Sequence, residues 1–244
     1  MKAGVAVRWV NLPPVARYPV ELLGWSPDSR SVAFRARGVF EDKVTPLFVA
    51  SADALSVKRR AATLTVGNSD AGPYPHEPAA IWANAQHLLV RGRNADATRD
   101  DWWLAGSDAA PVNLTAGLSQ PPEAFRRTHA HRLVAVAGNT LLALDLAAAR
   151  LLPVSGISIP TGASIVWPQD AARPSDTLLV TTSGKDGQTL HRIALTGVLP
   201  PARVSIPAGA ELLSFDHGAI LCGTRRAPAC FCAKPISTTQ LGAS

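Results

Sequence analysis

The sequence has little charge and few cysteines for its length. Of its 244 residues, 17% are charged and 47% are hydrophobic, so the chain has the apolar material for a core and is not a disordered polar chain. The three cysteines, Cys222, Cys230 and Cys232, all lie near the C-terminus. Their spacing lacks the paired Cys-x-x-Cys of a zinc site, and an odd number argues against a disulfide framework. We interpret them as ordinary thiols.

The printed sequence also lacks the pattern of an export signal or a membrane span. After Met1 and Lys2, only five small or apolar residues precede Arg8, too few for the apolar core of an export signal. The longest apolar stretches, such as residues 141–152, are interrupted by charges, so we expect no membrane partner. The compartment stays open between the cytoplasm and, if a signal lies upstream, the periplasm.

The positive charge is spread along the chain and forms no stripe. The net charge is +6, and basic residues occur singly or in pairs, at Arg59-Arg60, Arg126-Arg127 and Arg225-Arg226. No run of basic residues alternates with aromatics, as a nucleic-acid surface would require. The interpretation is a solvated basic surface, with no nucleic-acid partner.

A repeated pattern is present instead. The 20 prolines and 18 glycines are spread evenly, which favours many short strands joined by turns. An aromatic residue, a polar turn and a short apolar strand recur five times, with the aromatic residues 57, 43, 42 and 48 positions apart: Trp25, Trp82, Phe125, Trp167 and Phe215. A length of about 40–50 residues is that of one four-stranded propeller blade.

The repeat predicts an all-β fold of four-stranded antiparallel blades, four to five in number, in a propeller that is incomplete or open. We predict one domain over residues 1–244, with blades at 22–66, 79–117, 123–156 and 163–207, a partial blade at 211–244, and closing strands of an earlier blade at 1–21. The first spacing leaves room for an insertion at residues 68–78. The alternatives are a small closed ring of four or five blades and an unrelated β-sandwich with coincidental spacing.

Two segments resemble known propellers. The string Trp25-Ser26-Pro27-Asp28-Ser29, leading into the strand that ends at Phe34, resembles the repeat of TolB-like propellers and of the N-terminal propeller of the prolyl oligopeptidase and dipeptidyl peptidase family. Ser29 stands where that repeat has glycine, so the turn must tolerate a side chain. The string Asn113-Leu114-Thr115 resembles a blade-ending segment of the same bacterial peptidases.

The resemblance implies a non-catalytic part of a serine peptidase. In that family the propeller gates and docks peptide substrates for a separate α/β-hydrolase domain, which carries the catalytic serine. The sequence contains no Gly-x-Ser-x-Gly elbow, so we name no catalytic residue, expect no activity of the chain alone and implicate no cofactor. The alternatives are a stand-alone TolB-like propeller that binds a protein partner and, third, a propeller enzyme with a metal in its channel.

The candidate substrate-binding residues are Arg91, Arg93 and Trp103. The two arginines have the forked donors that hold a carboxylate, and Trp103 is expected on one face of its strand with Trp102 on the other. The competing interpretation of this segment is an exposed hairpin with offsetting charges. Two other candidates are weaker. Residues 74–78, which carry His76 and Glu77, are better interpreted as a structural turn, and His129 with His131 has no carboxylate or cysteine nearby in the sequence to share a metal.

Overall fold

The computed structural model describes residues 20–36, 47–66, 80–107, 109–166, 175–185 and 187–195, together with the backbone of later strands at 202–207, 210–216, 219–224 and 234–235. Within these ranges the chain contains strands and turns and no helix, and every strand pair is antiparallel. The all-β prediction is therefore confirmed. The described residues also contain no helix of the length and hydropathy that crossing a bilayer requires.

The chain divides into two compact units, each with most of its contacts inside itself. The first unit spans Met1–Pro121 together with Leu146–Ala149. Its sheet 1 follows chain order: β1 (Val20–Trp25), β2 (Ser31–Ala36), β3 (Leu47–Ser51) and β4 (Ser56–Arg60). Its sheet 2 contains β5 (Thr65–Val66), β6 (Ala80–Trp82), β7 (Leu88–Arg93), β8 (Asp101–Ala105) and β9 (Val112–Asn113).

The second unit spans Pro122–Asp145 with Arg150–Ser244. Sheet 3 contains β10 (Phe125–Arg127), β11 (Leu133–Ala137), β12 (Thr140–Asp145) and β13 (Arg150–Pro153). Sheet 4 contains β14 (Ser164–Ile165), β15 (Thr177–Gly184), β16 (Gly187–Ala194) and β17 (Ala202–Pro207), and sheet 5 contains β18 (Ala210–Asp216), β19 (Ala219–Thr224) and β20 (Lys234–Pro235). The arrangement of the sheets as one propeller domain stays a prediction.

Each unit buries its apolar strand faces in a cluster shared by two successive sheets. In the first unit, residues of sheets 1 and 2 form one cluster, including Leu47 and Val49 from β3 and Leu88 and Val90 from β7. In the second, Val134 and Leu141 of sheet 3 pack with Leu178 and Val180 of sheet 4. A sheet of about 40 residues cannot cover its own faces, so successive sheets supply the cover.

Sheet 2 has an interrupted first strand. β6 pairs with residues 88–90 of β7, and β5 pairs with Arg93 and Gly92 of the same strand. Because β8 occupies the other edge of β7, β5 and β6 lie along one edge, one after the other. β5 and β6 therefore share one strand position of sheet 2, and the insertion predicted at residues 68–78 lies outside the described residues. β5 thus belongs to sheet 2, and the predicted blade boundaries stay a prediction.

A close approach explains Gly92 in the middle of β7. A Cβ atom at this position would lie 2.5 Å from the carbonyl oxygen of Thr65. Only glycine lets β5 pair there without moving the backbone.

The turns of sheets 1 and 3 share several features, although the turn of sheet 3 is one residue shorter. At residues 26–31 the Ser26 amide donates to the Ser31 carbonyl (2.8 Å), and at residues 128–132 the Thr128 amide donates to the Arg132 carbonyl (2.9 Å). Both turns contain a non-glycine residue with positive φ, namely Ser29 at 58° and His131 at 58°. Ser29 thus holds the left-handed conformation that the glycine of the repeat would adopt more easily.

This match corrects one predicted anchor. Trp25 and Arg127 are the last paired residues before the two turns, whereas Phe125 lies two positions earlier in its strand. Trp82 ends β6 as Trp25 ends β1, but their surroundings differ: Trp25 is 59% exposed, whereas Trp82 is 6% exposed and its Nε1 donates to the Gly24 carbonyl at 3.0 Å. Trp167 and residues 74–78 lie outside the described residues.

Candidate functional site

The structure separates the three predicted binding residues onto two faces of sheet 2. Arg91 and Arg93 alternate along β7 and so share one face. Trp103 pairs with Val90, lies on the opposite face against the cluster of sheets 1 and 2, and donates through Nε1 to the Gly92 carbonyl at 2.8 Å. The three side chains do not converge on one point. Their part in substrate binding stays a prediction.

The surroundings of the two arginines differ. Arg93 is exposed, and its Nη1 lies 4.0 Å from Oδ1 of Asp100. Arg91 is half-buried and lies opposite Trp102 in the strand pairing. Trp102 is fully buried on this face, so the two neighbouring tryptophans occupy opposite faces, as strand alternation predicts.

A buried carboxylate, Asp101, organises the end of sheet 2. Its Oδ1 accepts a hydrogen bond from Thr115 Oγ1 at 2.9 Å, and its Oδ2 accepts one from Asn113 Nδ2 at 3.0 Å. Arg99 Nε lies 3.3 Å from Oδ1. The buried charge is therefore matched by three partners.

The same residues close the turn that follows β9. The amide of Thr115 donates to Asn113 Oδ1, and the amide of Trp102 donates to Thr115 Oγ1, both at 2.9 Å. The Arg99 guanidinium donates to the carbonyls of Thr115 and Ser119 at 3.2 and 2.9 Å. The Asn113-Leu114-Thr115 string, which carries part of the family resemblance, thus has a structural role here. Its polar groups are engaged with one another and not directed at a ligand.

In the second unit, a polar cluster lies where sheet 4 meets the 128–132 turn of sheet 3. The backbone amide of His129 donates to Asp176 Oδ1 at 3.1 Å, and His129 Nδ1 lies 3.3 Å from Oδ2. The Ser175 amide donates to the Arg127 carbonyl at 2.9 Å. His129 and His131 belong to the turn and not to a strand face. Among the described residues, no three His, Cys, Asp or Glu side chains come together as a metal site would require.

A cavity of about 100 Å³ opens beside this cluster. Its floor is aliphatic and its polar groups come from the turn and from the start of β15. The lining residues are Thr128, Ala130, Arg132, Val134, Leu141, Val154, Ile157, Asp176 and Leu195. An aliphatic floor with few polar groups is the usual composition of a small-ligand site.

Arg126 lies on the face of sheet 3 that holds the cavity. It pairs with Val134, whose side chain lines the cavity, and it stands two residues before Thr128, which also lines it. The residue is only 5% exposed, and its Nε and Nη1 are buried without a hydrogen-bond partner. Burial lowers the pKa of Arg126 below its ordinary value, although an arginine remains charged at neutral pH.

Comparison with known proteins gives one structural neighbour to report. The chain resembles a peptidase from Mycobacterium tuberculosis, described as puromycin-hydrolysing, with 15% sequence identity and a TM-score of 0.45. The match covers 82% of this chain and 32% of that one, so the chain spans about a third of the neighbour's length. No family model matches the sequence, and no curated protein matches it.

Sequence reasoning missed both Arg126 and the Asp101 network. The sequence predicts a solvated basic pair at Arg126 and Arg127, whereas Arg126 is buried and Arg127 is half-buried. One signal was present: alternation along β10 places one of any two neighbouring residues on the inward face. Because Arg126 is at an inward position next to an apolar strand, its burial can be predicted from this alternation.

Proposed function

We propose that this chain is a propeller domain without catalytic activity, which gates and docks peptide substrates for an α/β-hydrolase domain of a prolyl-oligopeptidase-like serine peptidase. The observation that carries this proposal is the hairpin of residues 25–34. Its sequence resembles the repeat of those propellers, and in the structure it forms the end of β1, the turn and most of β2 in a four-stranded sheet.

The order of strands supports the proposal. Sheets 1, 3 and 4 each consist of four strands that pair in chain order, which is the up-and-down order of a propeller blade. Within each unit the apolar cluster is shared by successive sheets, as blade packing requires. A β-sandwich would instead pair strands that lie far apart in the chain.

The lack of catalytic machinery in the sequence favours docking over chemistry. The sequence has no nucleophile elbow, and the most buried carboxylate of sheet 2, Asp101, is engaged by Thr115, Asn113 and Arg99. We propose Arg91, Arg93 and Trp103 as the residues that contact a docked peptide.

The test is reconstitution. The purified chain is assayed for cleavage of chromogenic peptide substrates alone and after mixing with an α/β-hydrolase polypeptide encoded in the same or an adjacent reading frame. We expect no cleavage by the chain alone, a stable complex in size-exclusion chromatography, and cleavage of short peptides in preference to a folded protein. Cleavage by the chain alone, or a hydrolase polypeptide that does not bind it, would contradict the proposal.

A matched pair of variants tests the docking residues. Arg93→Ala should weaken binding of a fluorescent acidic peptide by about threefold to tenfold, because an exposed charge contact contributes about 1 kcal/mol. Arg30→Ala is the control, since Arg30 is also an exposed arginine of the first unit with an acidic neighbour, Asp53 at 3.7 Å. If Arg93→Ala and Arg30→Ala bind the peptide with equal affinity, Arg93 is not part of the docking site.

The stand-alone TolB-like propeller is the second candidate, because the Trp25-Ser26-Pro27-Asp28 string occurs in both groups. It predicts a complex with a protein that has no hydrolase activity. Co-purification with such a protein, together with failure of the hydrolase reconstitution, would favour it.

A further inference from the structure

The cavity of the second unit opens at the edge of the apolar cluster that sheets 3 and 4 share. Its most buried lining residues, Val134 and Leu141, are 3% and 1% exposed and belong to that cluster. Val154, Ile157 and Leu195 are half-buried, pack against the cluster and also line the cavity. The cavity therefore leaves an aliphatic surface partly uncovered.

Two side chains of opposite charge line the same cavity, namely Arg132 and Asp176. The carboxylate of Asp176 accepts from the His129 amide at 3.1 Å and lies 3.3 Å from His129 Nδ1, which holds it beside the 128–132 turn. Arg132 ends that turn, where its amide donates to Thr128 Oγ1 at 3.1 Å, and its side chain is exposed.

Both charged groups can accept a further partner. Within the part of the chain that the structure describes, the Arg132 guanidinium makes no hydrogen bond and no ion pair, so it does not neutralise Asp176. The side chain of Asp176 is 41% exposed, and a carboxylate has about four lone-pair sites, more than the two contacts with His129 occupy.

We propose that this cavity binds a free aliphatic α-amino acid of about the size of valine. Its carboxylate pairs with Arg132, its ammonium group pairs with Asp176, and its side chain lies against Val134, Leu141 and Ile157. Each of the three parts of the ligand complements a group that lines the cavity, because a guanidinium is a forked donor for a carboxylate, a carboxylate accepts from an ammonium group, and an aliphatic floor covers an aliphatic side chain.

The volume limits the side chain of the ligand. A cavity of about 100 Å³ is smaller than the roughly 150 Å³ that accommodates benzene in an engineered protein core. The branched side chain of valine fits this space, and the aromatic ring of phenylalanine does not. The inference goes beyond the proposed function, because the residues that we propose to contact a peptide, Arg91, Arg93 and Trp103, lie in the first unit.

The experiment is a titration of the full chain followed by methyl NMR and calorimetry. Four ligands are compared: valine, isovalerate, which lacks the amino group of valine, isobutylamine, which lacks its carboxylate, and phenylalanine. We expect valine to shift the methyl signals of Val134 and Leu141 with a dissociation constant on the order of 0.1–1 mM. Isovalerate and isobutylamine should each bind at least about tenfold more weakly, because each loses one charged contact, and phenylalanine should not shift these signals.

Two variants assign the charged contacts one by one. Arg132→Gln should weaken valine binding at least about tenfold and leave the affinity for isobutylamine unchanged, because isobutylamine has no carboxylate. Asp176→Asn should weaken valine binding by a similar factor and leave the affinity for isovalerate unchanged. Arg150→Gln is the control for Arg132, since Arg150 is an exposed arginine of sheet 3 that does not line the cavity and lies 3.9 Å from Asp145; we expect it to preserve valine binding.

The unchanged affinity for the smaller ligand shows in each case that the cavity has kept its shape. If Asp176→Asn does not fold, as judged by circular dichroism, Arg132→Gln and the series of ligands still decide the result. The proposal is overturned if valine does not shift the signals of Val134 and Leu141, if isovalerate or isobutylamine binds as tightly as valine, or if Arg132→Gln binds valine as tightly as Arg150→Gln does.

Discussion

The two units treat buried charge differently. In the first unit, the side chain of Arg35 is 5% exposed, and its guanidinium contacts Glu21 through Nη2 at 2.7 Å and Nε at 2.8 Å. Asp101 in the same unit is held by Thr115, Asn113 and Arg99. In the second unit, Arg126 is as deeply buried as Arg35, yet its Nε and Nη1 have no partner.

The difference predicts opposite contributions to stability from the paired buried charges of the first unit and from Arg126. Removing one member of a buried pair leaves the other uncompensated, which is costly, whereas replacing an unpaired charge with an apolar side chain is neutral or favourable. The first unit should therefore lose stability when its charges are removed, and the second should not. Five of the six tryptophans fall within Met1–Pro121, so tryptophan fluorescence follows unfolding of the first unit.

The largest expected effect is at Asp101. Asp101→Ala should lower the free energy of unfolding of the first unit by about 3 kcal/mol, because it leaves Arg99, Asn113 and Thr115 without their common acceptor. The measurement is urea denaturation followed by tryptophan fluorescence. Asp100→Ala is the control, since Asp100 is more exposed and lies 4.0 Å from Arg93; we expect a change within about 0.5 kcal/mol. Similar losses in both variants would contradict the role given to the network.

The next effect is at the pair in sheet 1. Glu21→Ala should lower the free energy of unfolding by about 2 kcal/mol, because Arg35 stays buried after its carboxylate partner is removed. The same denaturation experiment measures it. Asp53→Ala removes the partner of Arg30 in a pair whose side chains are both more than two-thirds exposed, and should change stability by less than about 0.5 kcal/mol. An unchanged urea midpoint for Glu21→Ala would contradict the proposed difference between Arg35 and Arg126.

A change of opposite sign is expected in the second unit. Arg126→Leu should raise the free energy of unfolding by about 1 kcal/mol, because it removes the buried donors Nε and Nη1, which have no acceptor. Hydrogen exchange at the amides of β11 follows this unit specifically. Arg127→Leu is the comparison: Arg127 Nη1 donates to the His131 carbonyl at 3.4 Å, so we expect no gain. Faster exchange in Arg126→Leu would mean that Arg126 has acceptors after all.

Local features of the fold could be predicted from the sequence, and features that depend on contacts between sheets could not. The hairpin at residues 25–34 follows from strand alternation and turn residues that lie side by side in the chain. The pairing of β5 with β7 joins residues that are far apart, with an insertion between them, and no local pattern marks it. The burial of Arg126 is likewise a feature of the folded chain that a basic pair in the sequence does not reveal.

Some residues of the candidate site could also be predicted from the sequence, whereas their partners and their faces could not. The sequence identified the Asn113-Leu114-Thr115 string, but not its partner Asp101, because the bonds between them cross two strands. It identified Arg91, Arg93 and Trp103 on neighbouring strands, but it did not reveal that Trp103 faces away from the arginines, because that depends on the register of β7 with β8. Both outcomes reflect pairing register, which the residues of a single strand do not determine.

The smallest effect concerns the matching turns of sheets 1 and 3. In sheet 1, Ser26 Oγ donates to Asp28 Oδ1 at 2.6 Å, and this bond is the main cause that lowers the pKa of Asp28 below its ordinary 3.8. In sheet 3, Ala130 stands two residues after Thr128, as Asp28 stands after Ser26, and the carboxylate at that turn belongs to Asp176, which accepts from the His129 amide. Because the folded-state pKa is lowered, the carboxylate stabilises the turn above the unfolded pKa, and this contribution is lost as the pH falls through the folded value.

Carboxyl NMR titration of Asp28 tests this assignment. Ser26→Ala should raise the pKa of Asp28 toward 3.8, because the hydroxyl donor is lost while the weaker bond from the Arg30 amide, at 3.2 Å, remains. Thr128→Ala, the matching change in the second unit, should leave the pKa of Asp28 unchanged. If Ser26→Ala leaves it unchanged too, the amide of Arg30 rather than the buried serine holds the carboxylate. The contrast in buried charge between the units would then rest on Arg35, Asp101 and Arg126.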